Sequence, residues 1–232
     1  MRPAIFIGAL LATFFGPGAH GAAAQAPPSS LAPPPAASHE AQTIDGVAAR
    51  IEDDIITESE VRELGAFQEL VDGRSKSRVE RIEELADQWI VRGEANAVKY
   101  PRPSGDDVDR AYVQFVKQFP SPGDFKARCT AEGLDEAAVR RILEQQVFLS
   151  RFLDYRFRPG AQVDEDKIKR YYEGEFVSQL QARSQPVVPL EDVADTIREV
   201  LIQGAINDRA KAWLDEARNR LKIDIVAEGD AE

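Results

Sequence analysis

The apolar and polar positions change rhythm several times along the chain, and each change marks an element. In residues 46–61, GVAARIEDDIITESEV, Val47 to Arg50 and Ile51 to Ile56 read as two short strands around a Glu52-Asp53-Asp54 turn. A two-stranded hairpin is marginal in water, so a third strand or a covering layer is required. The second strand runs directly into a helix start. Thr57-Glu58-Ser59-Glu60 has the spacing of a capping box, with Ile56 before it and Val61 after it as a hydrophobic staple. This first helix is predicted to reach about Val71 and stop near Gly73.

Helical spacing then continues through most of the chain. Ile82, Leu85, Ala86, Trp89 and Ile90 share a face of a helix over Ser77–Val98, which Tyr100-Pro101-Arg102-Pro103 terminates. Ser104 caps a third helix with an apolar stripe of Val108, Ala111, Tyr112, Phe115, Val116 and Phe119. Ser121, with Pro122 at the first helical position, starts a fourth that ends at Gly133. The fifth runs from Asp135 to Phe157 and is lined by Val139, Ile142, Leu143, Val147, Leu149 and Leu153, with aromatics at Phe148, Phe152, Tyr155 and Phe157; Arg158-Pro159-Gly160 ends it. A sixth begins beyond Asp164 and carries Ile168, Tyr171, Tyr172 and Phe176. The pattern thins over residues 173–189, EGEFVSQLQARSQPVVP, before a last helix from Leu190 to Leu221 in which Gly204 is a candidate bend.

The closing LKIDIV, residues 221–226, returns to period two, with Ile223 and Ile225 on one buried face. It is the candidate partner for the hairpin. The expected fold is therefore mainly α, with a small sheet joining the N-terminal hairpin to the C-terminal strand, over a domain spanning 43–226 and an acidic tail at 227–232.

The first 24 residues read differently. Met1-Arg2 precedes an apolar run from Ala4 to Phe15, and GPGAHGAAA follows with breakers and small residues, the three-part pattern of a secretory signal with Ala22-Ala23-Ala24 at the cleavage site. The run is too short to anchor in a bilayer. Residues 25–42, QAPPSSLAPPPAASHEAQ, read as a linker with too little apolar content to pack, disordered or partly polyproline II. Cys129 is the single cysteine, which leaves no internal disulfide. An exported, disulfide-free, helix-rich chain suits a bacterial periplasm, with full secretion as the alternative.

Charge and histidine content exclude whole classes of chemistry. Twenty-nine Lys and Arg face 40 Asp and Glu, a net charge of −11 with no basic cluster, which argues against nucleic acid and against an anionic membrane surface. Both histidines, His20 and His39, lie outside the predicted domain. Imidazole-dependent nucleophilic sites and most zinc sites are thereby excluded from it. Asp53-Asp54 reads as turn chemistry, and Asp106-Asp107 and Asp164-Glu165-Asp166 as helix starts, where negative charge suits the dipole. No cofactor is indicated.

In this order the segments resemble the chaperone module of the SurA family of periplasmic peptidyl-prolyl isomerases. The likeness rests on GVAARIEDDIITESEV, on VRRILEQQVFLSRFLDYRF at 139–157, on VDEDKIKRYYE at 163–173, and on VPLEDVADTIREVL at 188–201 with the Trp213 helix and LKIDIV. It covers residues 44–226. In the family, one or two isomerase domains stand between the third and fourth of these segments; here only residues 173–189 do, and a domain needs about 50 residues to own a core. The resemblance thus implies the chaperone scaffold without a catalytic site. It also implies unfolded exported proteins as partners, outer-membrane β-barrel precursors among them. Tyr171, Tyr172 and Phe176, beside the thinned joint, are the candidate client-binding residues, against the alternative that they pack the sixth helix onto the rest. A dedicated interaction subunit on the same scaffold, and a prolyl isomerase, are the competing readings.

Overall fold

The computed structural model describes residues 45–227. The predicted signal, the linker and all but the first residue of the acidic tail lie outside that range. Within it, two strands, β1 (Val47–Ile51) and β2 (Asp54–Thr57), lead into helices α1 (Glu58–Asp72), α2 (Arg78–Ala97), α3 (Gly105–Val116), α4 (Pro122–Ala131) and α5 (Glu136–Phe157). A 3-10 turn follows at Arg158–Gly160, then α6 (Glu165–Tyr171), a π-turn (Tyr172–Phe176), α7 (Val177–Ala182), α8 (Leu190–Arg218) and strand β3 (Ile223–Ile225).

The strand that completes the hairpin is the last one. Sheet order is β2-β1-β3, with β1 central and antiparallel to both neighbours. Ala49 pairs with Ile225 and Ile51 with Ile223. Ile51 belongs to the first strand rather than the second, because the turn tightens to Glu52-Asp53, with Glu52 at φ 49°, and Ile51 pairs with Asp54. A bulge between Val47 and Ala49 lets both Ala48 and Ala49 point inward, and both are fully buried. One expectation needs correcting: Ile225 is 42% exposed, so the inner face of β3 is covered only at Ile223.

Helix starts follow their local signals. The Glu60 amide donates to Thr57 Oγ1 while the Thr57 amide donates to Glu60 Oε2, closing the capping box, and Ile56 and Val61 are both buried. The same reciprocal arrangement joins Ser77 to Glu80 and Ser104 to Asp107. Gly73 and Gly133 take the left-handed conformation beyond α1 and α4. α8 runs through Gly204 as one helix.

Three apolar clusters hold this body together. The sheet packs Ala48, Ile51 and Ile56 against Val61 of α1 and Ile82 and Ala86 of α2. Phe67 and Leu70 of α1 meet Phe115, Phe125, Cys129 and Val139. Ile90 and Val91 of α2 meet Phe148, Phe152, Ala210 and Leu214. α5 thus serves two clusters, through its first half and its second. Gln68, the buried polar side chain between α1 and α2, is satisfied on both ends: it donates to Glu84 at 3.1 Å and accepts from the Lys76 amide at 2.9 Å.

Candidate functional site

The three clusters include no residue between Val163 and Arg209. That stretch holds α6, the π-turn, α7, the return segment and the first half of α8. It forms an arm whose base is built and whose outer part is thin.

Its base rests on two buried isoleucines and a charged network. Asp164 caps α6 by accepting from the Lys167 amide at 2.8 Å, and α6 packs on α8, with Ile168 and Ile197 each 1% exposed. Arg158, just beyond α5, donates to Asp154 at 2.9 Å and to both oxygens of Glu199 on α8 at 2.6 and 3.0 Å. Gln203 donates to the same Glu199 at 2.9 Å. Those donors, Arg158 first, pull the Glu199 carboxyl down to about 2. Arg198 pairs with Glu165 at 2.5 Å, a second tie between α8 and α6.

Beyond that base no residue of the π-turn or α7 is buried. Tyr172 and Phe176, one turn apart, stack with ring centroids 5.9 Å apart and 26° between planes. Tyr172 Oη donates to the Val188 carbonyl at 2.7 Å, which ties the outgoing helix to the return segment. Tyr171 is also half-buried, but among the described residues no ring contact joins it to that stack. Two of the three candidate residues are therefore brought together and the third stands apart.

The thinning expected over residues 173–189 is half right. Helix persists to Ala182, because the backbone widens into a π-turn at Tyr172–Phe176 instead of breaking. Gly174 sits inside that turn, and a Cβ there would meet nothing within 4 Å, so packing does not explain the glycine. Irregular, extended chain begins only after Ser184, a non-glycine residue at φ 54°. No compact body forms from this stretch. Val187 on the return segment is 48% exposed.

The acidic pairs have local employment. Asp54 accepts from Trp89 Nε1 at 2.8 Å. Asp107 accepts two bonds from Arg151, at 2.7 and 2.8 Å, besides those of Ser104, and they hold its carboxyl well below the usual carboxylate range. Among the described residues no group of three or more His, Cys, Asp or Glu is placed to hold a metal ion. Burial pushes the Cys129 thiol up, away from the reactive thiolate. A cleft of about 370 Å³ lies between the start of α1 and the α4–α5 turn, lined by Arg62, Glu63, Leu134, Asp135 and Arg141 among others. Arg141 pairs with Glu63, so its strongest charges offset each other. No described helix is long and apolar enough to cross a membrane.

Sequence reasoning missed a second aromatic surface. Tyr155, expected to line α5, is 62% exposed. Its ring lies 5.3 Å from Tyr100 and 6.4 Å from Phe152. The spacing from Phe152 puts Tyr155 on the same stripe, but no described helix crosses over its outer side. The sequence matches no family model and no curated protein.

Proposed function

We propose that this protein is a non-catalytic, ATP-independent chaperone of the SurA type, acting in the periplasm on unfolded segments of exported proteins, outer-membrane β-barrel precursors among them. Tyr171, Tyr172, Phe176 and the exposed Val187 form its client-binding arm.

The observation that carries this reading is the absence of any buried residue across the π-turn and α7, although Tyr172, Phe176, Val177 and Leu180 all lie there. A helix packed only for stability would bury such side chains. Half-buried aromatic and aliphatic groups on an arm tied at its base offer a weak, adaptable apolar surface, suited to extended chains with alternating apolar residues. The reaction needs no covalent step: binding the unfolded state withdraws it from aggregation by mass action, and weak contacts allow release without a fuel.

The test is suppression of aggregation. An unfolded outer-membrane β-barrel protein diluted from urea should stay soluble when the protein is present at near-equal molar ratio. If light scattering rises as fast with the protein as without it, the proposal fails. A dedicated interaction subunit on the same scaffold would instead recover one stoichiometric folded partner from envelope extract and leave scattering unchanged.

A further inference from the structure

The sheet ends in an uncovered edge at β3. Arg50 and Asp224 are partners across β1 and β3, and the same frame continues past the strand on both sides. The Val226 amide donates to the Ala48 carbonyl at 2.9 Å, and the Glu52 amide to the Lys222 carbonyl at 3.2 Å. In an antiparallel ladder alternate residues turn their backbone groups to the same side. Residues 222, 224 and 226 therefore face β1, and the N–H and C=O groups of Ile223 and Ile225 point away from it. Among the described residues none hydrogen-bonds to those outward groups. The opposite edge of the sheet is closed: the Thr57 amide donates to Glu60 Oε2, and β2 turns directly into α1. Side chains at the open edge carry a second signal. Ile225 pairs with the fully buried Ala49 and so lies on the inner face, yet it is 42% exposed. On the outer face Lys222 and Asp224 pair with each other at 3.0 Å, so their charges offset instead of repelling an approaching strand.

We propose that β3 accepts an added strand: an extended, unpaired segment of another polypeptide with apolar residues at alternate positions. Backbone chemistry selects an extended chain. Donors and acceptors that repeat about 6.8 Å apart along one line match the free edge of another strand. A helix, whose backbone groups are engaged internally, cannot meet them. The side chains select the alternation. Every second residue of the added strand extends the inner face beside Ile223 and Ile225, and the residues between lie in water with the Lys222–Asp224 pair. That is the pattern of a membrane β-barrel strand before its barrel closes. A second copy of this chain fits less well. Edge-to-edge pairing of two three-residue strands covers far less than the roughly 1,000 Å² of a stable interface, and each copy brings a net charge of −11.

Binding at β3 is independent of the client arm. α8 has 29 residues, so about 43 Å separates its arm end from the end that leads into β3. The test adds an end-blocked peptide of about ten residues, alternating valine and threonine, to the isotope-labelled full chain and follows amide hydrogen exchange by NMR. Exchange at Ile223 and Ile225 should slow several-fold, while Asp224 and Val226, already turned to β1, should change little. Ile225→Pro removes one outward N–H and the exposed side chain without touching a bond to β1. It should abolish the slowing at Ile223 while the Val226 amide stays protected. Ile225→Thr, which keeps the strand and its amide, should weaken binding several-fold. Slowing spread evenly over residues 222–226, slowing confined to α6, α7 and the start of α8, undiminished binding by Ile225→Thr, or no slowing would overturn the proposal. So would protection of Ile223 and Ile225 that grows with protein concentration in the absence of peptide, which would assign the edge to a second copy.

Discussion

Arg78 Nη1 donates to the Val226 carbonyl at 3.0 Å, across 148 residues of sequence. The same guanidinium pairs with Glu58 at the start of α1. One side chain therefore fastens the helix that leaves the hairpin, the helix that covers the sheet, and the chain beyond the last strand. Val226 in turn donates its amide to the Ala48 carbonyl at 2.9 Å, so the closure is made by backbone as well as by charge.

Arg78→Ala should accordingly cost about 1–3 kcal/mol, the range for losing hydrogen bonds to a charged group in a partly buried setting. Urea unfolding should show a lower midpoint with an unchanged slope, since the surface exposed on unfolding stays the same. An unchanged midpoint would mean that the ends are held by strand pairing alone.

Core and arm should respond very differently to the same truncation. Phe152 is 1% exposed between α2, α5 and α8, so Phe152→Ala should cost about 3–5 kcal/mol. Phe176 is half-buried with Tyr172 as its stacked neighbour, and Phe176→Ala should cost clearly less, about 1–2 kcal/mol. Denaturant titrations of the two variants measure the difference directly. Equal losses would show that the arm is a packed part of the core.

Lys99 occupies the left-handed position after α2 at φ 54° without being glycine. Relief of that strain is worth about 1–2 kcal/mol, against about 0.4–1 kcal/mol lost because glycine loosens the unfolded chain. Lys99→Gly should therefore raise the thermal midpoint slightly, whereas Gly133→Ala, at φ 69°, should lower it. Calorimetry of both variants checks the sign.

The Arg158–Glu199 tie at the arm's base should weaken in acid. Glu199 has a folded pKa of about 2 against an ordinary 4.5. A depressed carboxyl contributes stability that is complete above the unfolded value and is lost as pH falls from about 4.5 through about 2. The pair is about half exposed, so solvent screens it and the effect is modest. Glu199→Gln should lower the melting temperature near neutral pH and match the unsubstituted protein near pH 2. A deficit that persists in acid would point to lost packing instead.

What could be read from sequence here was what is local. Thr57 and Glu60 are three residues apart and cap the same helix end, so their pattern suffices. The pairing of β3 with β1 was legible because the hairpin lacked a partner and LKIDIV was the one other period-two stretch. Exposure was not legible. Phe152 and Tyr155 lie on the same stripe of α5, yet one is enclosed by α2 and α8 and the other faces solvent, a distinction made by helices distant in sequence. Ile225 is exposed for the same reason. Nor was the π-turn, where the helix widens at Tyr172–Phe176 instead of ending. Of the candidate site, Tyr172 and Phe176 stack one turn apart, while the Tyr172–Val188 bond that ties the arm to its return segment leaves no local signature.

We propose that the arm holds unfolded chain, and the decisive measurement is the affinity of an aromatic-rich β-barrel peptide for the protein and for its Tyr171→Ser/Phe176→Ser variant. Fluorescence anisotropy should show at least about a tenfold weaker affinity for the variant, about 1.4 kcal/mol, under conditions where the variant is still fully folded. Equal affinity in a fully folded variant would show that clients do not bind the arm.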